Sequence, residues 1–183
     1  YIICKRKNTR KFDRRRESSL GASHIPGCWK LKLSLLRIGN LITFINLGQH
    51  GRLGNQLFQY AALKGIALHN KYECKIPNPS SMHWHGQKCL LSEFNIESEY
   101  LTAEDIQTIQ NQMVEPSPHL YYQDFMNIPD NTNIHGFFQS VHYFQNYKDQ
   151  ICKELTPKDR YIKEAKAYIE DLREDKYEVV SIH

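Results

Sequence analysis

Long apolar runs, paired cysteines and glycosylation signals are absent from this sequence of 183 residues. No stretch of about 18 apolar residues occurs, so the sequence predicts no transmembrane helix. The five cysteines are odd in number and form no Cys-x-x-Cys pair, which favours free buried thiols, with a single disulfide as the alternative. No Asn-x-Ser/Thr site without proline occurs, and neither does a Gly-x-Ser-x-Gly, His-Glu-x-x-His or P-loop motif.

The net charge of +4 conceals two regions of opposite sign. Residues 1–40 contain eleven Lys/Arg and two Asp/Glu (+9), whereas residues 41–183 contain thirteen and eighteen (−5). Because a dense block of like charges repels itself, we expect residues 1–40 to form a disordered basic leader. A nuclear-localisation signal, an anionic-lipid patch and a juxtamembrane stop are alternative interpretations. The body itself is acidic, so no nucleic-acid partner is expected.

Alternating strand and helix patterns predict an α/β fold over residues 41–183. Residues 41–45 form a short apolar run typical of a buried parallel strand, and residues 57–68 are apolar nearly all round a helix. Further strands are predicted at 73–76, 133–139 and 177–182, helices at 102–113, 140–155 and 158–174, a loop at 77–100 and an extended segment at 121–126. This alternation indicates a Rossmann-like parallel sheet with right-handed crossovers.

The residues best suited to ligand binding follow the first predicted strand. Gly51 and Gly54 permit a positive φ or a close backbone approach, and Arg52 offers a fork that matches phosphate oxygens. Asn55 supplies both an acceptor and donors for sugar hydroxyls. Ligands in open α/β sheets lie beyond the carboxyl ends of strands, which is where this turn is expected. The alternative is that the glycines only form a tight turn and Asn55 only caps the helix.

Three ordered segments resemble the α-1,2-fucosyltransferases of glycosyltransferase family 11. Residues 51–56 (Gly-Arg-Leu-Gly-Asn-Gln) resemble the Gly-x-x-Gly-Asn-Gln motif near the start of that family. Residues 136–144 (Gly-Phe-Phe-Gln-Ser-Val-His-Tyr-Phe) are similar to its Gly-Tyr-x-Gln-Ser-x-x-Tyr-Phe segment. Residues 179–183 (Val-Val-Ser-Ile-His) resemble the strand that delivers the His-x-Arg-Arg-x-Asp signature. Residues 1–40 have no counterpart in this resemblance.

The resemblance implies the N-terminal, acceptor-side half of a GT-B-like glycosyltransferase, with the donor domain and an arginine pair following His183. The implied reaction is an inverting transfer of L-fucose from GDP-fucose to the 2-hydroxyl of a terminal galactoside. GDP-fucose and a galactose-terminated glycan are the implied partners, and no metal or other cofactor is expected. Donor contacts are expected from Gly51, Arg52, Gly54, Asn55 and His183, and the alternative makes His183 an ordinary strand-end residue. No catalytic residue is assigned.

Residues 82–89 (Met-His-Trp-His-Gly-Gln-Lys-Cys) form a second candidate segment. We expect a surface loop along the acceptor groove, with Trp84 stacking on a sugar ring beside His85. His83, His85 and Cys89 are also plausible zinc ligands. A structural zinc site needs four ligands, and no clear fourth lies nearby, so a metal site is not expected here.

Two other functions fit the sequence: a fucosyltransferase with another acceptor (protein O-linked or α-1,6), and a non-catalytic anion-binding module with a basic tail. The sequence runs from Tyr1 to His183, and we interpret it as truncated at both ends and inactive by itself. The resemblance implies a Golgi membrane enzyme, anchored outside this chain, if the source is an animal. It implies a cytoplasmic enzyme if the source is bacterial.

Overall fold

A five-stranded, all-parallel sheet forms the centre of the computed structural model, which describes residues 40–81, 83–84 and 87–174. The strands are β1 (Leu41–Thr43), β2 (Glu73–Ile76), β3 (His83–Trp84), β4 (Gln87–Lys88), β5 (Glu99–Tyr100), β6 (Asn111–Val114) and β7 (Thr132–His135). The sheet order is β5-β2-β1-β7-β6, and β3 and β4 form a separate antiparallel hairpin. The fold is therefore the predicted Rossmann-like α/β architecture. Almost all of the predicted leader and the predicted strand at 177–182 lie outside the described residues.

The central strand, β1, is buried along its whole length. It pairs in parallel with β2 on one side and β7 on the other, so that Ile42 lies between Cys74 and Thr132. The buried hydroxyl of Thr43 donates a hydrogen bond to the Lys75 carbonyl oxygen at 2.8 Å. A strand covered on both faces reads as a continuous apolar run, which explains why it was recognisable from sequence.

Four helices accompany the sheet among the described residues: α1 (Leu53–Asn70), α2 (Ala103–Thr108), α3 (Lys148–Glu154) and α4 (Asp159–Glu174). The first helix has the most buried surface, including Tyr60, Leu63 and Ile66. It ends at Asn70, and the left-handed backbone of Lys71 lets the amides of Lys71 and Tyr72 bond back to the last turn. No helix in this part of the chain combines the length and apolarity needed to cross a bilayer.

A buried polar cluster attaches α3 to α1. Glu154 is 3% exposed and accepts a hydrogen bond from the Tyr60 hydroxyl while pairing with Lys64 Nζ at 3.0 Å. Ser98 bridges the same groups, lying 2.9 Å from the Tyr60 hydroxyl. Burial, followed by the hydrogen bond to Glu154, raises the pKa of Tyr60 far above its usual range. The cluster fixes the position of α3, because a displaced Glu154 would leave a buried charge unpaired.

The helix predicted over residues 102–113 is shorter than expected. The capping box of Thr102 and Asp105 is confirmed, with backbone-to-side-chain bonds of 2.9 and 3.1 Å. The helix ends at Thr108, however, and Asn111–Val114 forms the edge strand β6. This strand pairs with β7 along its full length. The partner is distant in sequence, so local patterning could not reveal it.

The helix predicted over residues 140–155 is interrupted near its start. Ser140 caps only a 3₁₀ turn at Val141–Tyr143, which a second 3₁₀ turn follows before α3 begins. Tyr143 and Phe144 are buried against α1, and this packing bends the chain out of a continuous helix.

Two other segments also differ from the prediction. The predicted extended segment at 121–126 is a 3₁₀ helix at Gln123–Asn127, and the predicted loop at 77–100 contains β3, β4 and β5.

Gly65→Ala should destabilise the fold, whereas Gly54→Ala should not. A methyl group at residue 65 would lie 2.4 Å from the Tyr143 carbonyl oxygen and 2.7 Å from Phe144 Cβ, and such overpacking costs about 1–3 kcal/mol. A methyl group at residue 54 meets nothing within 4 Å, and alanine favours a helix by up to about 1 kcal/mol over glycine. Urea denaturation measures both variants. Equal midpoints would contradict the close packing of α1 on these turns.

Candidate functional site

The candidate site lies where β1 and β7 end side by side. The chain leaves β1 through α1 towards β2, while β7 lies on the opposite side of β1 and follows β6. The carboxyl ends of β1 and β7 therefore lie side by side, and the chain leaves β1 on the side away from β7. In open α/β sheets, ligands lie beyond the carboxyl ends of the strands. We call the space between the loop after β1 (residues 44–52) and the loop after β7 (residues 136–140) the β1/β7 crevice.

The loop after β1 is fastened to the sheet and to its surroundings. Its backbone turns sharply, with a bond of 2.9 Å from the Leu47 amide to the Phe44 carbonyl, and Ile45 donates to Asn133 Oδ1 on β7 at 2.9 Å. Gly48 has a φ of +80°, and a side chain there would lie 2.4 Å from Cys89 Sγ. Only glycine combines this backbone conformation with so close a neighbour. The loop is therefore held in one path.

Two buried glutamines of α1 complete this attachment. Gln56 Nε2 donates to the carbonyls of Gly48 and Lys88 at 3.4 and 3.3 Å, and its Oε1 accepts from the Leu90 amide at 2.9 Å. Gln59 accepts from the Gly48 amide at 3.3 Å and donates to the His50 carbonyl at 3.2 Å. The buried Gln56 side chain therefore satisfies backbone groups of both the loop after β1 and the segment after β4. It is a structural residue, although it stands in the motif at residues 51–56.

The two motif segments that resembled one family meet through a direct hydrogen bond. Asn55 Oδ1 accepts from Gln139 Nε2 at 2.8 Å, across a separation of 84 residues. The Asn55 amide also folds over Gly51, because a Cβ at residue 51 would lie 2.1 Å from Asn55 Nδ2. Gly51 has a φ of +83°, so glycine is required here on both grounds. Segments predicted separately thus form opposite walls of one crevice.

Helix capping does not explain Asn55. The N-cap of α1 is Arg52, whose side chain makes no capping hydrogen bond, and no acidic residue lies in the first turn. The alternative that Asn55 caps the helix is therefore wrong. Arg52 is exposed at the helix start, and Gly54 has no neighbouring atom within 4 Å of a would-be Cβ. The start of α1 thus keeps its positive end uncapped by side-chain oxygens.

Glu115, which sequence reasoning missed, holds the loop after β7. Its Oε2 accepts hydrogen bonds from the Phe137 and Phe138 amides at 2.8 and 2.9 Å. Gly136 approaches so closely that a Cβ there would lie 2.4 Å from Glu115 Cβ, and Phe138 has a left-handed φ of +52°. The other carboxylate oxygen, Oε1, is buried without a protein partner. An isolated glutamate before a proline gives no sequence signal for this role.

A pair of histidines, also missed, faces across the crevice. The rings of His50 and His135 are 5.1 Å apart and nearly perpendicular, and Phe44 packs edge-on to His135 at 5.7 Å. Burial, and then the proximity of His50, lowers the pKa of His135. The sequence did carry a signal for both residues. His50 immediately precedes Gly51 and His135 immediately precedes Gly136, and each of these glycines has a positive φ and begins a motif segment.

The packing beneath the second loop is aromatic. Phe138 contacts Phe44, Phe125 and Tyr143, with ring centroids 5.2 to 6.0 Å apart. The Tyr143 hydroxyl accepts a hydrogen bond from the Tyr122 amide at 3.0 Å. Burial raises the pKa of Tyr143 to about 12, and the nearby Glu115 acts in the same direction. Tyr143 therefore stays neutral and structural at physiological pH.

The predicted site residues divide into two groups. Gly51, Arg52, Gly54 and Asn55 lie together at the β1/β7 crevice. Trp84 lies in β3, and only its backbone is described, whereas His85 and His183 lie outside the described residues. Within residues 40–81, 83–84 and 87–174, no three His, Cys, Asp or Glu side chains are placed to hold a metal ion. No protein-family model, curated protein or solved structure matches this chain.

Gln56→Leu should lower the free energy of unfolding by about 1–3 kcal/mol, because the Leu90 amide and the Gly48 and Lys88 carbonyls would lose their buried or partly buried hydrogen bonds to it. The matched control is Gln139→Leu, which removes an exposed hydrogen bond and should change stability by less than about 0.5 kcal/mol. Chemical denaturation of both variants measures the difference. A Gln56→Leu protein as stable as the control would show that the glutamine does not fasten the loop.

Stability should also decline in mild acid because of His135. Its pKa is lower in the folded state than the unfolded value of about 6.5, so the unfolded chain binds more protons below that pH. This contribution is complete above about pH 6.5 and is lost as the pH falls through the folded pKa. Denaturation between pH 5 and 8 should show a shallower decline for His135→Asn. The exposed His119→Asn should keep the parental profile, and an unchanged His135→Asn profile would contradict the assignment.

Proposed function

We propose that this chain is the acceptor-side half of a fucosyltransferase that moves L-fucose from GDP-fucose to the 2-hydroxyl of a terminal galactoside, with inversion. The observation that carries the proposal is the hydrogen bond between Asn55 and Gln139. It joins the two segments that resemble family 11 in one crevice, at the edge of the sheet where ligands bind. Either segment alone would be a weak indication.

The chemistry of the crevice suits a nucleotide sugar. Asn55 and Gln139 place two amide groups side by side, and amides supply both donors and acceptors, as sugar hydroxyls require. Arg52 stands exposed at the uncapped start of α1, where a cation and the helix dipole both favour a diphosphate. Gly54 leaves its backbone open to close approach. The proposed sugar and phosphate contacts thus come from Arg52, Gly54 and Asn55, within one helical turn, together with Gln139 opposite them.

The remaining features of the proposed reaction rest on the resemblance alone. The resemblance implies that arginines of a GT-B-like second domain neutralise the leaving GDP. Arginines in the cationic role would replace a metal ion. A Golgi membrane location for an animal protein, or a cytoplasmic one for a bacterial protein, follows from the same resemblance.

Arg52→Ala and Asn55→Ala should each reduce fucosyl transfer by a full-length form by about 100-fold or more, because each removes a group that contacts the donor. Both should remain folded, since Arg52 is exposed and Asn55 is not part of the buried core. Gly54→Ala should weaken GDP-fucose binding without destabilising the fold, because its methyl group would meet only the ligand. The measurements are GDP-fucose titration calorimetry, initial rates and thermal unfolding.

The matched control is Arg160→Ala, which removes an exposed arginine on α4 that pairs with Glu93. It should keep parental kinetics. Parental kinetics with GDP-fucose in Arg52→Ala and Asn55→Ala would overturn the proposed function. Loss of activity with loss of folding in both variants would instead show that the motif is structural.

A further inference from the structure

We infer that His135, positioned by His50, is the base that accepts the proton of the acceptor hydroxyl. The inference rests on the proposed function. In an inverting transfer, the acceptor oxygen forms a new bond to the anomeric carbon while the bond from that carbon to the phosphate oxygen breaks. The electron pair of the broken bond leaves with GDP, and the hydroxyl proton must pass to a base. The base therefore has to stand where the acceptor meets the donor.

His135 occupies such a position. It is the last residue of β7, at the carboxyl edge of the sheet, and it immediately precedes the loop that presents Gln139. His50 immediately precedes Gly51, against which the Asn55 amide is folded. The ring contact of 5.1 Å between the histidines and the hydrogen bond between Asn55 and Gln139 therefore both connect the chain around the start of α1 with the chain around the end of β7. Each histidine is next in sequence to one of the two segments proposed to hold the sugar.

The charge state of His135 also suits a base. Its half-buried ring packs against Phe44, and a second imidazole stands beside it. Both surroundings disfavour the charged form, so the ring keeps its lone pair at neutral pH. A base must be unprotonated before it can act, and a pKa at or below the working pH meets this need.

The nearby carboxylate cannot take this role. Glu115 stands at the end of β6, next to His135 through its bond to the His135 carbonyl at 2.8 Å. One of its oxygens is occupied by the amides of Phe137 and Phe138, and the other is shielded from solvent. Two further ionisable residues belong to the same part of the described structure: Arg52, two residues after His50 at the start of α1, and Tyr143, beneath the loop after β7, whose pKa burial raises to about 12.

The first test uses this chain and nuclear magnetic resonance. The imidazole nitrogens of His135 are titrated between pH 4.5 and 8 with and without phenyl β-D-galactoside, and His135→Asn and His50→Asn identify the signals. A hydroxyl that donates to the neutral ring stabilises it, so bound galactoside should lower the pKa of His135. Because only the neutral ring accepts this hydrogen bond, the affinity for galactoside should be highest above the pKa that His135 has in the free protein. It should fall as the pH drops below that value.

Outcomes separate this inference from the proposed function. GDP-fucose binding with a His135 titration that galactoside leaves unchanged, or shifts upwards, overturns the base assignment alone. Binding of neither GDP-fucose nor galactoside overturns the proposed function as well. A lowered pKa of His135 together with GDP-fucose binding supports both.

The second test uses kinetics in a full-length form. His135→Asn should lower kcat by about 100-fold with little change in KM, and the acid limb of the pH profile should disappear. His50→Asn should move the acid limb to higher pH, because it removes the neighbour that lowers the pKa of His135. The control is His142→Asn, an exposed histidine in the 3₁₀ turn after the crevice loop. An unmoved acid limb in both crevice variants would overturn the inference.

Discussion

The β1/β7 crevice depends on the attachment of the loop after β1 to α1 by Gln56 and Gln59. These buried side chains bond to backbone groups of Gly48, His50, Lys88 and Leu90. Without these bonds, backbone donors and acceptors of the loop would be left unsatisfied, and this would lower the stability of the fold. The glutamines satisfy them and fix the loop relative to the helix. Arg52 and Asn55 are then held in position by a rigid element rather than by a free loop.

The loop after β7 is likewise held in place by a buried polar side chain, that of Glu115. Glu115 accepts hydrogen bonds from the amides of Phe137 and Phe138, and it thereby stabilises the left-handed conformation of Phe138. Such a conformation is costly for a non-glycine residue and persists only where its surroundings determine it. Each wall of the crevice is therefore held by a buried polar side chain from the preceding or following element. Groups held in this way do not need to be ordered by the ligand.

The sequence predicted most of the central fold but only part of the site. α1, β2 and α4 were recognisable because a continuous apolar face or a run between turn residues determines each of them locally. β6 was missed because Asn111–Val114 becomes a strand only through its pairing with β7. Gly51 and Asn55 were found because their spacing forms a motif. Glu115 and the His50–His135 contact were not, because their partners come together only when β1 and β7 lie side by side.

Under the proposed function, the charged and the uncharged groups of the crevice have different roles in binding. Residues 41–183 carry a net charge of −5, so their long-range field does not attract a diphosphate. Arg52 and the uncapped start of α1 act only at short range, because salt screens exposed charges beyond about 8–10 Å. The amides of Asn55 and Gln139 carry no charge and select by hydrogen-bond geometry instead. Under the proposed function, the amides are therefore suited to distinguishing sugars, while Arg52 and the start of α1 supply a short-range attraction for a diphosphate.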